Sequence, residues 1–136
     1  MTLICLTSVS GYVCFRDDRM HRLGGGVGIW IKHYRKPRRV VLPLKPMYVE
    51  SVAVALKSNI LLIGCYFPPD VAISKSKELT DFLINSIDDF LSSHPNYHVI
   101  ICGDLNRYNF CNVCCHCNLV SMYVGATYGD SQLDSS

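Results

Sequence analysis

Tyr97-His98-Val99-Ile100-Ile101-Cys102-Gly103-Asp104-Leu105-Asn106 is the stretch on which the reading of this chain turns. Residues His98 to Cys102 are mostly apolar and β-branched, which predicts a strand buried on both faces. The run stops at a glycine, followed by two polar residues separated by one leucine. Strand alternation places Asp104 and Asn106 on one side, provided that extended geometry persists past Gly103. A carboxylate there accepts a proton from water and a carboxamide donates to a charged oxygen. The same four residues also make a tight turn, because Gly, Asp and Asn are turn formers in their own right.

Working outward, the segment before this strand, Ser74 to Ser93, spaces Leu79, Phe82, Leu83, Ile87, Phe90 and Leu91 at threes and fours. That spacing predicts one amphipathic helix, with Ser76 as its cap and Ser92-Ser93-His94-Pro95 as its stop. Upstream, Ile60 to Phe67 reads as a second buried strand ending in Pro68-Pro69-Asp70, so that Tyr66 is carried to a strand end as Asp104 is. Tyr48 to Leu56 alternates, with Tyr48, Val52, Val54 and Leu56 on one face and Glu50 among them. This is the expected hairpin partner, and the early position of Glu50 predicts a carboxylate at the strand's wet end.

Tyr12 to Phe15 and Val27 to Lys32 are further strands, and Thr2 to Leu6 is a short apolar run of strand type. The glycines Gly24 to Gly26 and Gly28 precede no lysine-serine pair, so they are not read as a phosphate loop. Between strands, Lys32 to Arg39 is the densest run of like charge. Arg35, Lys36, Arg38 and Arg39, with Tyr34 interleaved, suit a phosphate backbone, although interstrand loops are often basic without any partner.

At 136 residues the chain is expected to be a single domain over 1–136, and its 49% apolar and 18% charged content excludes a disordered chain. A net charge of +2 names no partner, and nothing in the sequence points to an oligomer. No run has the length of a membrane span, and the first residues lack a signal peptide's basic flank, so an intracellular place, nucleus or cytoplasm, is expected. Cys5, Cys14, Cys65 and Cys102 lie in apolar runs and read as small core residues of a reducing compartment. Cys111, Cys114, Cys115 and Cys117, with His116, form a C-x-x-C-C-H-C pattern that could hold zinc as a small cysteine-rich module. A short helix with Phe110, Val113, Cys114 and Cys117 on its apolar face explains the spacing equally well.

The order G-Y-V-C-F-R-D-D-R, G-G-G-V-G-I-W-I-K, V-E-S-V-A-V, Y-F-P-P, amphipathic helix, G-D-L-N, A-T-Y-G-D-S-Q-L-D resembles the endonuclease/exonuclease/phosphatase superfamily, and within it the endonuclease domain of non-LTR retrotransposons. The resemblance runs from Gly11 to Asp134. It implies an α/β fold, a two-sheet α/β sandwich of the deoxyribonuclease-like type, here partial, with a Mg²⁺-dependent phosphodiesterase site at the sheet rims. It implies DNA as substrate, and a reverse-transcriptase domain as partner if the chain belongs to a longer element. By resemblance, Asp104 would activate the attacking water, Asn106 would hold the phosphate and Tyr66 would contact it. Thr127 and Asp134 would complete the set, with Asp134 orienting a histidine.

The sequence also departs from that pattern. Leu3 to Thr7 is similar to the strand that carries the family's magnesium-binding glutamate, but Ser8 stands in the glutamate's place, and a hydroxyl does not replace a carboxylate at a hard cation. Pro69 follows the Y-F-P motif where relatives often have asparagine. The chain stops at Ser135-Ser136, before the S-D-H segment, and none of His21, His33, His94, His98 and His116 is placed to serve instead. The expectation is a truncated or degenerate domain with little or no nuclease activity. Its rival is a pseudo-enzyme that binds nucleic acid through the basic run without cutting.

Overall fold

The computed structural model describes residues 9–17, 26–43 and 45–122. Their order is β1 (Tyr12–Asp17), β2 (Val27–Lys32), a 3-10 turn (His33–Arg35), β3 (Arg38–Val40), β4 (Glu50–Leu56), β5 (Ile60–Tyr66), α1 (Pro69–Ser74), α2 (Ser76–Ser93), β6 (His98–Asp104) and α3 (Cys111–Cys117). The fold is mixed α/β with two small sheets and three helices among the described residues, compatible with a partial α/β sandwich. β1 and β2 form an antiparallel pair, and β3-β4-β5-β6 form a four-stranded sheet. β4 and β5 are the expected antiparallel hairpin. β5 and β6 are parallel, and the two helices between them supply the crossover that parallel pairing demands.

Alternation along β4 and β5 sorts the core into two layers. Ala53, Ala55, Leu61, Ile63 and Cys65 face the stripe of α2 made by Leu79, Phe82, Leu83, Ile87 and Phe90, joined by Val113 of α3. Val52, Val54 and Leu56 face the other way and pack with Phe15 of β1 and Ile29 and Ile31 of β2. Every residue of β4 is therefore buried, since both of its faces are covered. Gly64 allows the two sheets to close here, because a Cβ on it would sit 3.2 Å from the side chains of Val27 and Ile29.

The structure corrects several expectations. β6 is covered on one face only: Val99 and Ile101 meet the helices, while His98, Ile100, Cys102 and Asp104 are exposed, Ile100 at 47%. The apolar run misled because β6 is the last strand of its sheet among the described residues, and the β1–β2 pair packs mainly on β4 and β5. Ser76 does not cap α2: Lys75 holds the cap position without a side-chain bond, and a separate turn of helix, α1, begins at Pro69, where proline's missing N–H is harmless. Arg38 and Arg39 lie in strand β3, so the basic run is not wholly a loop. The apolar run Thr2 to Leu6, together with Ser8, Thr127 and Asp134, lies outside the described residues.

No helix among the described residues is long and apolar enough to cross a membrane.

Candidate functional site

Strand register builds one end of the main sheet. Glu50 pairs with Tyr66, and Tyr66 pairs with Asp104, across β4, β5 and β6. Residues paired in this way share a face, and neighbouring strands lie about 5 Å apart, so three oxygen-bearing side chains stand in a row roughly 10 Å long. The row is on the face that β1 and β2 cover further down, and it forms a rim between the two sheets. Asp17, at the end of β1, joins this rim: its carboxylate accepts the Ser51 N–H at 2.8 Å and pairs with Lys45.

Gly103 sets how closely β6 approaches β5 here. Its φ is +133°, and a Cβ would lie 2.0 Å from the carbonyl oxygen of Cys65, a clash that only glycine avoids. Beyond it, β6 ends at Asp104, whose carbonyl accepts the Phe67 N–H at 3.0 Å. Asn106 then adopts a left-handed conformation, φ +50°, and the Asp104 carboxylate accepts the Asn106 N–H at 3.2 Å. The segment is therefore a turn, and extended geometry does not continue past Asp104. Asn106 still reaches the rim, because its Nδ2 donates to the Phe67 carbonyl at 2.5 Å. One of its amide protons thus clips the ends of β5 and β6 together, and the other has no acceptor among the described residues.

Tyr108 anchors the chain between this turn and α3. It is buried, its hydroxyl and that of Thr80 lie 2.6 Å apart, and its ring meets Phe67 and Phe110 edge to face. Burial pushes its hydroxyl pKa upward, as it does the thiol of Cys65, which is raised to about 12.

Glu50 is a second correction at this end. It is 7% exposed and not at a wet end, and its Oε1 accepts the Gly26 N–H at 2.9 Å. Asp17 and Lys45 were not singled out from sequence, and Glu50 was expected at a strand end but not opposite Tyr66. For Glu50 the signal existed: a hairpin closed at Lys57-Ser58-Asn59 carries it to the position opposite Tyr66.

The basic residues lie elsewhere. Arg38 pairs with Ala55 near the end of β4 remote from Glu50, and the Arg35 carbonyl accepts the Lys57 N–H beyond that end. β5 separates the two ends by roughly 20 Å. Arg39 donates to the Arg16 carbonyl at 2.8 Å and Arg38 meets the His94 ring at 3.3 Å, so both also hold the fold together. Arg35 stacks over Tyr34, its guanidinium 5.3 Å from the ring centroid. Arg35, Lys36 and Arg38 therefore do not share one phosphate with Tyr66 and Asp104, whereas Arg39 lines a cleft with Asp17, Lys45 and Ser51 on the β3 side of the rim.

Neither of two metal centres is assembled at these positions. A hard cation such as Mg²⁺ needs several oxygen ligands around one point. Glu50 and Asp104 are two strands apart and each already accepts a backbone N–H, and no group of three His, Cys, Asp or Glu among the described residues is arranged to hold a metal ion. The described rim does not fit the cation by itself. In α3, Val113 is buried, Cys117 packs against the core and His116 pairs with Asp88 at 2.8 Å, while Cys111 and Cys115 are exposed. This is the arrangement of an apolar helix face.

No protein-family model matches this chain, and no curated protein matches it.

Proposed function

We propose that this chain is an endonuclease/exonuclease/phosphatase-type domain of retroelement kind, descended from a Mg²⁺-dependent enzyme that cleaves DNA phosphodiesters, and that its own cleavage is weak or lost. The observation that carries the reading is the register pair Tyr66 and Asp104 on adjacent parallel strands, with Asn106 clipped beside them. A phenol can donate to a phosphoryl oxygen, a carboxylate can take the proton of an attacking water, and the spare amide proton of Asn106 can bind the same phosphate. Loss of activity follows from charge. Phosphodiester cleavage builds negative charge that a cation normally stabilises. Ser8 replaces the carboxylate that would anchor it, and the described carboxylates do not converge.

The experiment is supercoiled-plasmid nicking with added Mg²⁺. The expected result is nicking indistinguishable between the parent and Asp104→Ala. Mg²⁺-dependent nicking that Asp104→Ala abolishes would overturn the inactive part of the proposal and strengthen the ancestry. The second reading, nucleic-acid binding without cleavage, is favoured by one observation: Arg35, Lys36 and Arg38 gather at the end of the sheet opposite Asp104, where they can bind a polyanion regardless of the state of the rim. In that case binding falls steeply with salt while the plasmid stays intact.

A further inference from the structure

We propose that a groove at the basic end of the sheets binds single-stranded nucleic acid by base stacking. The groove has a volume of about 390 Å³ and lies between β2, the beginning of β5 and the uncovered face of β6. Its walls include Tyr12, Trp30, Lys32, Tyr34 and Arg35, and Ile100 of β6 supplies apolar floor. Trp30 is 42% and Tyr34 68% exposed. The indole lies along β2 against Gly28, where a Cβ would stand 3.1 Å from the ring. The Lys32 ammonium is 6.0 Å from the Tyr12 ring centroid and 5.9 Å from that of Tyr34. Aromatic faces alternating with cations are the two components that hold bases and phosphates together on a sequence-tolerant track.

Charge complementarity favours a polyanion over any neutral occupant. The segments 11–14, 29–38, 54–62 and 94–101, which build this end, contain Lys32, Arg35, Lys36, Arg38 and Lys57 and no aspartate or glutamate. A duplex would meet the cations but hide its base faces from Trp30 and Tyr34, whereas a single strand uses both. The volume falls within the range of small-ligand clefts, about 300–1,000 Å³, enough for bases to enter. The inference goes beyond the proposed ancestry and does not need the Asp104 rim to be active, because the groove lies roughly 20 Å away along β5.

Trp30 is the sole tryptophan, so fluorescence excited selectively at tryptophan, beyond the absorption of the eight tyrosines, reports on this groove alone. The whole chain is titrated in EDTA, which silences any cleavage, with an oligothymidine of about eight nucleotides, a duplex of equal length and poly-glutamate. The expected result is quenching by the oligothymidine, with affinity about tenfold or more above the other two and falling between 50 and 200 mM salt, both figures being order-of-magnitude expectations. Tyr34→Ala, at a highly exposed position that the fold does not need, should weaken binding about 5- to 100-fold. Trp30→Phe, followed by fluorescence anisotropy of a labelled oligothymidine, should retain most of it. Absence of quenching, equal binding of the duplex, preference for poly-glutamate, or an unaffected Tyr34→Ala would each overturn the site. A failed nicking assay leaves it untouched.

Discussion

The two ends of the central sheet differ in the chemistry they gather. At one end stand Asp17, Glu50, Tyr66 and Asp104, with the carboxylates engaged by backbone N–H groups. At the other stand Lys32, Arg35, Lys36 and Arg38 among exposed aromatic rings. The difference teaches that a basic patch and a candidate acid-base set, both legible in one short chain, need not serve one ligand. Strands of seven residues carry them apart, and adjacent turns send each group to a fixed end.

The largest expected effect comes from breaking the carboxylate end. Gly103→Ala combines an unfavourable positive φ with a Cβ placed on the Cys65 carbonyl, so β6 must leave β5. The cost should be about 4 kcal/mol or more, a large share of the stability of a domain this size, and thermal unfolding should show it. If the melting temperature stays within a few degrees, the close approach at Gly103 is not what positions Asp104.

Alkaline pH separates the ends less severely. The Cys65 thiol, beside Tyr66, is pushed from 9.0 to about 12, chiefly by burial, so the fold favours its protonated form. That contribution is fully present below the unfolded value of 9.0 and is lost as pH rises towards about 12. Urea unfolding should show stability falling over this window by at most about 1.4 kcal/mol per pH unit from this group. The gap between the parent and Cys65→Ala should therefore narrow between about pH 8 and about pH 10.5, on the order of that slope. A constant gap would remove the thiol from the account.

A smaller effect is expected at the basic end. Lys36→Ala should lower the slope of log affinity against log salt for oligonucleotide binding by about one, with unfolding unchanged. An unchanged slope would mean that the polyanion does not track along this run. The smallest effect tests the scaffold that both ends share. Ser86 is 1% exposed in α2 and its hydroxyl has no hydrogen-bond partner among the described residues, so Ser86→Ala should raise stability by about 1 kcal/mol in denaturant titration and leave both ends as they are. A loss of stability instead would reveal a partner for that hydroxyl.

Much of the fold was legible because local periodicity carries it. The stripe of Leu79, Phe82, Leu83, Ile87 and Phe90 specified the main helix, and alternation in Val52, Val54 and Leu56 specified β4 as the hairpin partner of β5. Tyr66 and Asp104 were legible as strand ends. The Ser76 cap failed because a preceding helical turn begun at Pro69 leaves Lys75 at the junction. The burial of β6 failed because an apolar run records what a strand can tolerate, whereas coverage depends on how far another sheet extends over it.

Sequence alone was enough for β1, β2, β4, β5, β6, the main helix and the pairing partners on either side of the Lys57-Ser58-Asn59 turn, but not for β3 or α1. Tertiary structure alone decided that Glu50 is buried, that Asp104 pairs with Tyr66, that Asn106 clips the ends of β5 and β6, and that Lys32 and Arg35 lie at the opposite end beside Trp30. The physical reason is range. Side-chain period and turn propensity act over a few residues, but register, layer coverage and the meeting of distant side chains depend on which strands pair and which faces they conceal.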